Sequence, residues 1–207
     1  MIAIIDYGAG NIRNVLRAFT HLGHDSGITA DRAVIRKAHA VVLPGVGAAG
    51  DTVAALRARG LDDLVRETID HDRPFLGVCI GLQVLFDSTA EGGRQDCLGV
   101  IPGTVEKLPP GLKVPHMGWN QVHQKMGSTV WADISDGANF YFVHSYYVVP
   151  ENDGIVAART TYGVDFCSAI ARGNLFATQF HPEKSGALGL KIYDNFIKAT
   201  LGTHSRH

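Results

Sequence analysis

Pro74-Phe75-Leu76-Gly77-Val78-Cys79-Ile80-Gly81-Leu82-Gln83-Val84-Leu85-Phe86 changes character at one residue. Up to Val78 it is a short continuous apolar run, the pattern of a strand buried on both faces; from Ile80 to Phe86 it reads as a helix. The junction has the form Gly-x-Cys-x-Gly, a cysteine version of the sharp strand-to-helix turn that holds a nucleophile. Side chains at positions 77 and 81 would collide with the neighbouring strand and helix, which accounts for the glycines. The turn puts Cys79 at a helix N-terminus, where backbone N–H groups favour thiolate over thiol. It also leaves the N–H of Ile80 placed to donate to an oxyanion.

Two similar cycles precede this one. Met1 to Ile5 reads as a buried strand, Tyr7-Gly8-Ala9-Gly10-Asn11 as a turn, and Ile12, Val15, Leu16 and Phe19 as one face of a helix. Ala40 to Leu43 is a second strand, closed by Pro44-Gly45-Val46-Gly47 and followed by helical faces interrupted at Gly60. Strand, helix, strand, helix predicts parallel strands covered on both faces. From about Leu98 short runs recur between turn signals: Thr104-Val105, Phe140 to Val149, Ile155 to Ala158, Cys167 to Ala171 and Leu175 to Phe180. These predict added antiparallel strands, and Ala187 to Leu201 predicts a closing helix with a frayed tail at 203–207. The expectation is one α/β domain over residues 1–207: a mixed, mainly parallel central sheet flanked by helices, with additional antiparallel strands.

Composition narrows the function. Nineteen Lys plus Arg against twenty Asp plus Glu leave a formal charge of −1, without the basic excess that nucleic acid or an anionic membrane requires. At 45% hydrophobic the chain is too apolar for disorder, and 207 residues bury roughly 70% of the unfolded surface. No leader or membrane span is legible at the N-terminus, where Asp6 ends the apolar run, so a cytoplasmic protein is expected. The three cysteines, Cys79, Cys97 and Cys167, have no CxxC spacing for zinc or a redox dithiol and fit a reducing compartment. Cys97 and Cys167 read as structural.

A cysteine nucleophile needs a base, and the base an orienter. Of ten histidines, His181 stands in His181-Pro182-Glu183, after a strand-like run and before the last helix. In an extended segment residues i and i+2 point the same way, so Glu183 is placed to hold one imidazole nitrogen while the other faces Cys79. His21, His24, His39, His71, His123, His204 and His207 read as solvated. The Pro44 to Gly47 turn offers a second oxyanion N–H, at Val46 or Gly47. Tyr7 to Asn11 superficially resembles a dinucleotide turn, but Arg13 occupies the third glycine position, so no cofactor is read there. These residues alone leave open another thiol enzyme, such as a peptidase, and a non-catalytic module on the same fold.

Taken together, Gly77 to Gln83 and His181-Pro182-Glu183 resemble the class I glutamine amidotransferases. The likeness extends through Asp6 to Asn11, Leu43 to Gly47, Pro115 to Asn120, Phe140 to Tyr147 and Gln179 to Ser185, nearly the whole chain. It implies that Cys79 attacks the glutamine amide, that His181 and Glu183 complete a triad, and that Val46, Gly47 and Ile80 supply the oxyanion hole. Gln83, Glu91, Ser145 and Tyr146 would bind glutamine; neither metal nor cofactor is implied. The chain holds no second catalytic domain, so the likeness implies a heterodimer with an ammonia-using (β/α)8-barrel cyclase, HisF, in histidine biosynthesis. Asn11, Asn14, Trp119, Asn120 and Lys184 are the expected contacts. One departure is visible: the family usually shows Ala then Phe after Pro-Gly-Val-Gly, where this chain has Ala48-Ala49, which bears on packing near the oxyanion loop.

Overall fold

The computed structural model describes residues 1–8, 11–125 and 127–203, with side chains to 200. The predicted turn residues Ala9 and Gly10 and the tail residues 204–207, His204 and His207 among them, lie outside the described residues, while Thr203, expected in the tail, ends the last helix. The first half runs β1 (Ile2–Ile5), α1 (Ile12–His21), β2 (Ser26–Thr29), α2 (Arg32–Lys37), β3 (Ala40–Gly45), α3 (Ala49–Ala58), α4 (Asp62–Asp70), β4 (Phe75–Cys79) and α5 (Ile80–Gln83). The second half runs β5 (Ser88–Thr89), β6 (Gln95–Asp96), β7 (Gly103–Lys107), β8 (His116–Gln124), β9 (Ala138–His144), β10 (Tyr146–Pro150), β11 (Val156–Thr161), β12 (Asp165–Arg172), β13 (Leu175–Thr178) and α6 (Gly186–Thr203).

Hydrogen bonding joins the strands in the order β2-β1-β3-β4-β13-β12-β10-β7-β5-β6, with β11 branching from β12 to β8, and β8 pairing with β9. The five strands from β2 to β13 are parallel; β12, β10 and β7 follow antiparallel. The all-apolar runs β1, β3 and β4 are buried along their whole length, as strands flanked on both sides must be. In α1 Val15, Ala18 and Phe19 face the core, and the Phe19 ring stacks on Tyr193 of α6 at 4.7 Å. The mixed, mainly parallel sheet with antiparallel additions is as expected.

Three local expectations need correction. The helix after Cys79 is a single turn, because the carbonyls of Val84, Leu85 and Phe86 accept from Leu98, Gly99, Val100 and Ile101 and leave the helical path. The run Phe140 to Val149 is two strands broken at Ser145, whose carbonyl accepts from Leu108 while β9 pairs with β8 and β10 with β7. The strand before His181 ends at Thr178. Periodicity also passed over β2, β8 and α2; the last is a six-residue helix capped by Asp31, whose carboxylate accepts from Ala33 and Val34.

Candidate active site

The parallel arrangement brings three strand ends to one edge. Gly45 at the end of β3 lies level with Cys79 at the end of β4, and Thr178 at the end of β13 lies level with Val78. The Pro44 to Gly47 loop, the cysteine and the Gln179 to His181 segment therefore emerge side by side at the carboxyl ends of the parallel strands, where open α/β sheets place their sites.

Cys79 has φ 55° and ψ −105°, a left-handed backbone that a non-glycine residue holds only when its surroundings enforce it, at a cost of about 1–3 kcal/mol. The flanking glycines do the enforcing. A Cβ on Gly81 would overlap the Leu43 carbonyl oxygen of β3, and one on Gly77 would meet the Gly81 carbonyl oxygen at 2.7 Å. The collisions predicted with strand and helix are those found. Beyond the adjacent strand, a Cβ on Gly45 would meet the Tyr7 hydroxyl at 2.6 Å, so the Pro44 to Gly47 turn is also closely packed.

His181 is buried, and Nδ1 lies 2.8 Å from Glu183 Oε1. The i, i+2 geometry arises because Pro182–Lys184 forms a 3-10 turn, rather than from the extended segment expected. Among the described residues no oxygen or nitrogen takes up Nε2 on the far side of the ring; the group acting on it is the Cys79 sulfur. Burial opposes charging the ring, but Cys79 and Glu183 outweigh it and hold His181 up to about 10. Burial likewise opposes a charged Glu183, yet its bonds to His181 and Asn11 keep it below the usual carboxylate range. A protonated His181 ring, with Glu183 on one side and Cys79 on the other, is thus the favoured state of a coupled group.

Two residues that hold this line escaped the sequence reading. Ser185 Oγ donates to the His181 carbonyl at 2.6 Å and accepts from Tyr141 N at 2.9 Å, while His181 N donates to the Tyr141 carbonyl, pinning the turn to β9. Gln179 Nε2 lies 3.6 Å from Cys79 Sγ, and its Oε1 accepts from Gln83 Nε2 at 3.0 Å. The signal available was a polar pair inside an apolar run, Thr178-Gln179, both fully buried.

Cys79 opens on a cavity of about 310 Å³. Val46, Gly47 and Ile80 line it beside the sulfur, Gln83, Glu91, Ser145 and Tyr146 line its walls, and His181 and Lys184 close one side. Gln83 is tied down, its Nε2 also donating to the Tyr146 carbonyl at 2.9 Å. Glu91 does double work: it faces the cavity and its Oε2 accepts from Ala49 N at 2.9 Å, holding the start of α3. Ala49 is fully buried, so the smaller residue after the oxyanion turn leaves its backbone packed.

The remaining expected contacts separate. Trp119 is 58% exposed and Lys184 is exposed over the Tyr141 ring. Asn14 is exposed and donates to Asn11 Oδ1. Asn11 itself points inward, donating to Glu183 Oε1 at 2.6 Å, and Asn120 points inward to His116 and the Thr161 carbonyl. Cys97 and Cys167 are buried free thiols, pushed up by burial to about 11 and about 12. Among the histidines read as solvated, His24 bonds Asp194 at 3.2 Å and is half-buried.

The glutamine amidotransferase class-I family profile matches residues 3–199, and the chain belongs to that family. Its relatives narrow the group. It is 54% identical over 202 residues to the imidazole glycerol phosphate synthase subunit HisH of Dehalococcoides mccartyi strain CBDB1, covering 98% of each chain. To the subunits HisH of Herpetosiphon aurantiacus and Pseudomonas putida it is 49% and 48% identical, covering 99% and 95% of this chain and 97% and 96% of theirs. The fold matches PurLQS from Thermotoga maritima with a TM-score of 0.75 at 18% identity, covering 95% and 97% of the two chains. A structure titled as a glutamine amidotransferase matches at 0.73 and 20%, over 97% and 99%.

Proposed function

We propose that the chain is the HisH-type glutaminase of an imidazole glycerol phosphate synthase and works as one glutamine amidotransferase unit in the cytoplasm. The observation that carries the reading is Cys79, strained into a cavity and facing an imidazole held by a buried carboxylate. The Cys79 thiolate attacks the side-chain amide carbon of glutamine. The carbonyl electrons move onto oxygen, which the N–H of Ile80 and that of Val46 or Gly47 receive. His181 gives its proton to the nitrogen as the C–N bond breaks and ammonia leaves, producing the γ-glutamyl thioester. Water then adds as His181 takes back a proton, and collapse returns Cys79 and glutamate.

Ammonia made in a buried cavity serves a partner. Met117 and Trp119, two apart on β8 and 61% and 58% exposed, form an apolar pair next to Tyr141, over whose ring Lys184 lies, a surface suited to covering by another subunit. We assign it to the HisF cyclase. The test is glutamate release from glutamine with and without HisF and its nucleotide substrate. Wild-type turnover well above Cys79→Ala in the full complex is expected; equality would overturn the reading.

A further inference from the structure

Two buried histidines are not used by the steps above: His144, in the wall of the same cavity, and His116, which is hydrogen-bonded to it. His116 Nδ1 lies 2.9 Å from His144 Nε2, and His144 Nδ1 lies 2.8 Å from the Tyr146 carbonyl oxygen. On the other side, His116 Nε2 lies 3.3 Å from Asn120 Nδ2. The proton positions follow from elementary donor rules. A carbonyl oxygen only accepts, so Nδ1 of His144 carries hydrogen, and the neutral ring presents a lone pair at Nε2. That lone pair requires N–H on His116 Nδ1, which leaves a lone pair on His116 Nε2 for the Asn120 amide. The Asn120 amide is oriented independently: Oδ1 accepts from Gln121 N at 2.8 Å and Nδ2 donates to the Thr161 carbonyl at 3.0 Å. Three donors thus point the same way, from Asn120 to Tyr146.

Protonating either ring would set N–H against N–H or waste a donor in the core. Burial agrees, pushing His116 down to about 4 and His144 to about 3. The His116 ring is clamped between Tyr162 at 4.0 Å and Phe142 at 5.0 Å, so it has little freedom to turn away. The receiving end matters for the site. The Tyr146 carbonyl takes a second bond from Gln83 Nε2, which also reaches Gln179 Oε1, whose amide lies on Cys79 Sγ.

We propose that His116 and His144 are positioning residues, a neutral, single-direction hydrogen-bond chain that fixes the Tyr146 carbonyl and thereby the Ser145–Tyr146 wall and the Gln83 amide on which glutamine is seated. The assignment of that wall to glutamine rests on the function proposed above; the proton arrangement does not. Nitrogen-15 NMR of the full chain at pH 7 is therefore the primary test. Both rings are expected in the Nδ1–H form, the rarer tautomer of free histidine; an Nε2–H or doubly protonated ring at either position overturns the chain. The second test is His116→Phe, which keeps the aromatic stack and removes both nitrogens. Glutamine turnover in the HisF complex is expected to show KM raised about tenfold and kcat within about threefold, the loss of roughly one neutral hydrogen bond from substrate seating. A lowered melting temperature with unchanged KM would reduce the pair to core packing and overturn its positioning role. If the wild-type complex does not turn over glutamine, the proposed function falls while the NMR result still decides the chain.

Discussion

Replacing Glu183 by Gln separates the charge at the base of the proposed triad from its shape. The Glu183 carboxylate is fully enclosed and accepts three bonds: His181 Nδ1 at 2.8 Å and Asn11 Nδ2 at 2.6 Å on Oε1, and the Tyr193 hydroxyl at 3.0 Å on Oε2. A glutamine there keeps a carbonyl oxygen for the first two, and the Tyr193 hydroxyl can turn to accept from its NH₂. Geometry survives and the negative charge is lost. Burial works against charging His181, and only Cys79 and Glu183 lift it to about 10, so removing the Glu183 charge weakens its hold on the proton that the proposed mechanism passes to the leaving nitrogen. Breaking a buried pair costs about 3–5 kcal/mol. If about 2–4 kcal/mol of that reaches the barrier, kcat falls about 30- to 1,000-fold. Glu183 does not line the cavity, so KM for glutamine should change less than about threefold. The alkaline limb of the pH–rate profile should move to lower pH, because the ring loses its proton sooner. Folding stability carries the same signature. The raised value of His181 gives a contribution that is whole below about 6.5 and drains as pH climbs through about 10. The lowered value of Glu183 gives one that is present above about 4.5 and is lost as pH falls below it. Melting curves of wild type and variant should therefore differ most between those limits. Steady-state glutamate release in the complex, as a function of pH, is the assay. Unchanged kcat, a KM rise that accounts for the whole loss, or an unmoved alkaline limb would refute the assigned role.

Cys79→Gly should melt above Cys79→Ala, the reverse of the usual core order, because glycine adopts φ 55° without strain. A difference of about 1 kcal/mol gives roughly 2–4 °C in a chain this size, and Ala melting higher would show that the turn is unstrained. Gly81→Ala should destabilise by about 3 kcal/mol or more and abolish turnover, since its Cβ overlaps the rigid Leu43 carbonyl of β3; a folded, active variant by circular dichroism and glutamine assay would contradict the packing. Iodoacetamide at pH 7.5 should label Cys79 in the native chain and spare Cys97 and Cys167, held as buried thiols by values of about 11 and about 12. Peptide mapping reads this, and labelling of all three at similar rates would rule it out.

What the sequence made legible is unequal in a way that follows chain locality. The strand–turn–helix around Cys79 is written within seven residues, because steric need fixes glycines at 77 and 81 beside the nucleophile. His181 and Glu183 were readable for the same reason: two residues apart, they meet through one turn. Asn11 was not, since its bond to Glu183 crosses 172 positions of sequence and only the tertiary packing of α1 against α6 and the Pro182–Lys184 turn brings the two together. Nor was the role of His116 and His144, 28 positions apart, which depends on the β8–β9 register placing the two opposite each other. Short elements were lost to a different cause. Two or three turns of apolar period are needed to see a helix, and α2 holds only six residues with one buried side chain, Ile35.

The two halves of the sheet divide the chemistry. The groups proposed to move electrons or protons, Cys79 and His181 with the Pro44 to Gly47 turn, stand at the ends of parallel strands, where β3, β4 and β13 are locked level by central pairing. The groups proposed to recognise the substrate, Ser145 and Tyr146, stand where β9 breaks into β10, and there no parallel neighbour holds the backbone. Ser145 is outside both strands, so its peptide has to be fixed by other means. Leu108 N takes its carbonyl, His144 and Gln83 take that of Tyr146, and Gln179 carries the linkage to the sulfur. Buried side-chain amides and imidazoles therefore replace the ladder at the point where the ladder stops. Such a network is worth its burial only if every donor meets an acceptor, which is why the proton positions on His116 and His144 decide how well the wall is held.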